Sequence, residues 1–138
     1  MLEGPVPWLD RIVRLAAPRA AFTVTLFGCS MRPALREGDR LIVEPLQCRP
    51  HVGDVVVFPY AGRMLAHRVI ACAARALITA GDASSGQRER IALEDVVGVV
   101  RAARRGGRAL PRPSSRMRAL LLRARLAIGY RLRMGRAS

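Results

Sequence analysis

The chain has no lysine: its 24 basic positions are all arginine. That absence removes one class of chemistry, because arginine stays protonated and cannot serve as a general base in the way a neutral lysine can. Complete replacement of lysine by arginine also fits a genome-wide coding bias, so the isoelectric point of 11.7 carries little meaning by itself. Aromatic residues are scarce, at 4%. The cysteines are few and odd in number: Cys29, Cys48 and Cys72 lack metal-ligand spacing and read as reduced thiols. No clustered set of Cys, His and acidic residues calls for a metal or an organic cofactor. Long apolar runs are missing too. The N-terminal "MLEGPVPWLDRIVRL" has an acid and two prolines where a secretory signal has basic residues and an apolar run. The longest apolar window near it, "AAFTVTLFGCSM", is 12 residues, against ~20 for a spanning helix. The expectation is a cytoplasmic chain without signal peptide or transmembrane helix.

What is present is an apolar body with an uneven charge. Hydrophobic residues make up 51% of 138 positions, which suits one domain with a small core and an appended tail. Residues 1–100 hold 12 Arg against 10 acids, whereas residues 101–138 hold 12 Arg and no acid. A near-neutral body therefore carries a strongly cationic tail. Such a tail either meets an anionic membrane, nucleic acid or acidic partner, or is a solubilising terminus.

Three regions follow from the pattern: an amphipathic N-terminal segment over 1–20, a β domain over 21–109, and a linker with an Arg-rich tail over 110–138. "WLDRIVRLAA" has Trp8, Ile12 and Leu15 at helical spacing. "AFTVTLF", "RLIVEP", "DVVVFPY", "RMLAHRVIAC", "RALITA" and "VVGVVRAA" read as strands, parted by Gly- and Asp-rich turns. Short strands without intervening helices imply a mainly β fold, an antiparallel coiled sheet or barrel. "LPRPSS" reads as a linker, followed by a basic helix with Ser114 or Ser115 as N-cap. Met117, Leu121, Ala124, Ile128 and Leu132 form one stripe of it, with Leu122 and Leu126 opposite. That helix either lies on an anionic membrane surface or caps the sheet.

Few residues can carry chemistry. Gly38-Asp39 and Gly53-Asp54 precede apolar strands, where glycine supplies a positive φ and the aspartate bonds its own turn. Asp82 instead follows a strand and opens the polar loop "DASSGQRER", where a carboxylate could orient a histidine. Of two histidines, His51 sits beside a turn and is expected to be exposed. His67 shares a strand face with Leu65, Val69 and Ala71. It is either a core histidine bonded to a carbonyl or a general base for a hydroxyl, and Ser30 in "GCSMRP" is the candidate hydroxyl.

Taken in order, "GCSMRPALREGDRLIVEP", "VGDVVVF", "AHRVI", "ITAGDAS" and "DVVGVV" resemble the signal peptidase I superfamily, which includes the self-cleaving LexA-type repressors. The likeness spans residues 21–103 and is nearest the serine–histidine branch, since a histidine precedes "RVI". It implies coiled antiparallel sheets with a small barrel-like core, which the amphipathic N-terminal helix and the basic C-terminal helix read above would flank. It also implies Ser30 as nucleophile, His67 as general base and Asp82 as the acid supporting the histidine. The Ser30 backbone N–H would serve the oxyanion hole, and Gly28 stands where some relatives add a serine donor. Cys29 is expected to be a buried small residue.

The resemblance implies a serine endopeptidase acting on a peptide or leader sequence. The charge of the tail, read separately, allows peripheral contact with anionic membrane, while nucleic acid is not expected. Two other readings stand beside it. A peptidase fold without activity could serve as a binding module, its tail holding membrane or nucleic acid. A self-cleaving repressor-like domain would ordinarily use the lysine that this chain lacks.

Overall fold

A computed structural model describes residues 20–135. The expected N-terminal helix falls outside these. Eight strands form one antiparallel sheet: β1 (Phe22–Thr25), β2 (Arg40–Glu44), β3 (Val55–Tyr60), β4 (Arg63–Cys72), β5 (Ala76–Ala80), β6 (Glu89–Ala92), β7 (Gly98–Arg105) and β8 (Arg108–Ala109). A 3-10 turn at Leu93–Asp95 enters β7, and one helix, α1 (Arg116–Gly135), ends the described chain. The spatial order is β1-β2-β7-β3-β4-β5-β6, with β8 against β7. β1 and β6 are the outer strands of this path among the described residues, so the mainly β reading holds while the sheet stays open rather than closing into a barrel.

Two clusters of apolar side chains occupy opposite faces of the centre. In β3, Val55 and Val57 join Met31, Leu35, Leu41, Val43 and Val100, while Val56 and Phe58 join Val69, Leu77, Ile91 and Val99. A strand covered on both sides reads as a continuous apolar run, which "VVVF" is. Alternation along β4 continues the division. His67 is opposite Val56 and follows the second face, while Arg68 and Ile70 follow the other.

The turns entering β2 and β3 are built as the turn chemistry requires. Gly38 and Gly53 have φ of 90° and 102°. Asp39 and Asp54 accept the backbone N–H of Arg36 and His51 at 2.8 and 2.9 Å. Ser115 is the helix cap, accepting the Arg118 N–H at 3.2 Å.

The tail is tied to the sheet at two places. "LPRPSS" is bolted to the sheet: the Ser115 N–H bonds the Gly53 carbonyl at 3.0 Å, and Pro113 gives its carbonyl to Arg68. α1 does cap the sheet, through Ala119, Leu122 and Leu126, the latter two packed on Ile70 and Ala80. Met117, Leu121 and Ile128 face outward. No helix among the described residues is long and apolar enough to cross a membrane.

Candidate active site

Ser30 lies in the turn after β1. The buried side chains of Met31 and Leu35 pin this turn to the first cluster, leaving Ser30 itself exposed. A second anchor comes from the far side of the sheet, where the Ala83 N–H donates to the Ser30 carbonyl at 2.9 Å. Gly81 makes this approach possible. A Cβ at that position would stand 2.6 Å from the Ser30 carbonyl oxygen and 3.3 Å from His67 Nε2. Glycine is needed there for space rather than for backbone freedom.

His67 is 7% exposed, with its ring edge-on to Phe58 at a centroid separation of 6.2 Å. Its Nε2 is 3.1 Å from Ser30 Oγ, across 37 residues of sequence. Its Nδ1 is 3.1 Å from Glu89 Oε2. That second contact lies off the line of a ring N–H, so Nδ1 has no hydrogen-bond partner in this conformation. Glu89 is 2% exposed and accepts the Thr79 hydroxyl on the same oxygen at 2.9 Å. Serine hydroxyl, imidazole and carboxylate therefore stand in one row from the surface inward.

Asp82 is elsewhere. Both of its oxygens are taken by the wholly buried Arg68, with Nε at 2.7 Å and Nη2 at 2.8 Å. Among the described residues Asp82 makes no hydrogen bond or ion pair with His67. Period-2 alternation is the physical reason. Val69, Thr79 and Glu89 are paired neighbours across β4, β5 and β6, on the face that holds His67. Arg68 and Ala80 are paired on the opposite face, and Asp82 follows Ala80 two residues on.

Glu89 was missed because "DASSGQRER" reads as polar loop throughout. Its last two residues are in fact the start of β6, paired to β5 from Thr79↔Glu89 to Ala76↔Ala92. The available signal was the spacing of Glu89 and Ile91, since Ile91 is buried in the second cluster.

Arg68 extends this bracing. Its Nη1 donates to the carbonyls of Gly53 and Pro113 at 2.8 and 2.7 Å. From α1, Arg125 donates to the carbonyls of Asp82 and Ser84. The loop that touches Ser30 is thus gripped from the sheet and from the helix.

The remaining candidates fall as follows. His51 is exposed, near Asp54 at 3.8 Å and remote in role from the row above. Cys29 is exposed rather than buried, and all three cysteines are free. Gly28 has a φ of 85° with no atom close to where a side chain would begin. No group of His, Cys, Asp and Glu among the described residues has a metal-binding arrangement.

A family model described as Peptidase S24-like matches residues 2–100. No curated protein and no solved structure gives a match.

Proposed function

Because the chain belongs to the Peptidase S24-like family, we propose that it is a serine endopeptidase, cleaving a peptide or leader sequence through an acyl-enzyme on Ser30. The observation that carries this reading is the 3.1 Å approach of Ser30 Oγ to His67 Nε2, within hydrogen-bond reach for proton transfer. A lysine base is impossible, since the chain has none. That base supports a place in the serine–histidine branch of the wider superfamily.

In this mechanism Ser30 Oγ attacks the scissile carbonyl carbon while His67 Nε2 takes the hydroxyl proton. The imidazolium so formed sits beside the buried Glu89 carboxylate, which offsets its charge and holds the ring. His67 then gives the proton to the departing amine as the C–N bond breaks. Water, deprotonated by the same imidazole, attacks the acyl-Ser30 ester, frees the acid and restores the hydroxyl. The Ser30 backbone N–H is the oxyanion donor, and losing one such donor costs roughly 10²–10³ in rate in comparable sites. Asp82 serves from behind, holding the Gly81–Ala83 segment against Ser30 through Arg68. The substrate class is an extended peptide lying along the sheet beside Ser30.

The test is cleavage of a broad peptide library, read by mass spectrometry, with wild type beside Ser30→Ala and His67→Ala. Cuts made by the wild type alone are expected, and their flanking residues define the substrate. Cleavage surviving in Ser30→Ala sinks the nucleophile assignment.

A further inference from the structure

We infer that α1 lies flat on an anionic lipid surface, using the face it turns away from the sheet. The inference goes beyond the peptidase reading and does not depend on it. Successive helical residues step by about 100° around the axis. Ala119, Leu122 and Leu126 fall on one side and are buried against the sheet. Met117, Leu121, Ala124 and Ile128 fall on the diametrically opposite side. There Met117 is 67%, Leu121 63% and Ile128 59% exposed, with Leu120 also open at the edge. These are among the few large apolar side chains that the described residues leave in water.

Charge complementarity selects the occupant. Arg118 stands on one flank of the stripe, and on the other Leu120 is followed by Arg116, both arginines being exposed. Residues 101–138 contain no acid to oppose them. An apolar stripe bordered on both sides by arginine is the pattern of a helix at the lipid headgroup boundary. Nucleic acid would engage the arginines and leave Met117, Leu121 and Ile128 in water, and the tail has a single aromatic, Tyr130, too few for a base-stacking platform. A second copy of the chain would set unopposed arginines against one another. Docking of the inner face on Ile70 and Ala80 fixes the helix, so the stripe is presented without any refolding.

The experiment is co-sedimentation of the full chain with vesicles of phosphatidylcholine, alone or with about one third phosphatidylglycerol. Wild type should bind only the anionic vesicles, and less at high salt. Replacing Met117, Leu121 and Ile128 together by Gln, a good helix former, should weaken binding by at least about tenfold. A circular-dichroism melt checks that this variant folds. Arg116→Gln with Arg118→Gln should sharply reduce the preference for anionic lipid. Four results overturn the inference: no binding by wild type, equal binding by the triple Gln variant, tighter binding to a DNA duplex that the Gln variant retains, or a lipid-free dimer that the same variant dissociates.

Discussion

At the scale of single residues, the two nitrogens of His67 face different tasks. Nε2 meets the serine, and Nδ1 meets a carboxylate buried deep enough that water screens it weakly. Glu89→Gln keeps the shape and removes the charge that the imidazolium requires. It should lower kcat by roughly 10² or more with KM little changed. A variant with wild-type kcat would reduce Glu89 to a packing residue. Asp39 shows a different use of a buried carboxylate. Hydrogen bonds from Arg105, at 2.8 and 2.9 Å, hold its pKa below the ordinary carboxylate value, with burial opposing them and the Arg36 N–H assisting. A folded pKa below the unfolded ~3.9 stabilises the fold above that pH and is lost as pH falls through the folded value. Urea unfolding of Arg105→Gln should therefore show a deficit at neutral pH that shrinks below about pH 4. A deficit independent of pH would mean that Arg105 acts by packing alone.

At the scale of elements, β4 carries two neighbouring residues with unrelated duties. His67 points to the face with Ser30 and Glu89, and Arg68 to the face covered by the linker and α1. Arg68 joins β4 to the turn before β3, the 110–115 segment and the loop after β5. Breaking such a pair leaves an uncompensated buried cation, at about 3–5 kcal/mol. Asp82→Asn should cost about that much in urea unfolding, while the folded fraction keeps measurable cleavage. This contrasts with Glu89→Gln, whose loss is in turnover. If Asp82→Asn leaves stability intact but stops cleavage, Asp82 rather than Glu89 supports the histidine. The strands themselves were legible. "RMLAHRVIAC" matches β4 from end to end, and the Gly-Asp turns adopt the positive φ expected of them. β6 was not, because four residues beginning Glu-Arg have no local β signal, and pairing with β5 is what makes them a strand.

At the scale of the whole molecule, the near-neutral body and the cationic tail divide the work. Residues 1–100 supply Ser30, His67 and Glu89, and the tail braces the loop beside them while turning its outer stripe to solvent. The sequence by itself determined the mainly β class, the turns, the exclusion of a lysine base, and Ser30 and His67 as the residues worth pairing. These rest on residue identity and short-range periodicity, which are local. Only the tertiary structure decided which carboxylate stands behind His67, because pairing of β4, β5 and β6 sets Glu89 on its face and carries Asp82 to the other. It likewise decided which side of α1 is buried. Both stripes of that helix are apolar, and the sheet selects one by presenting Ile70 and Ala80 to Leu122 and Leu126. Pairing register and docking couple residues far apart in the chain, so no window of sequence contains them.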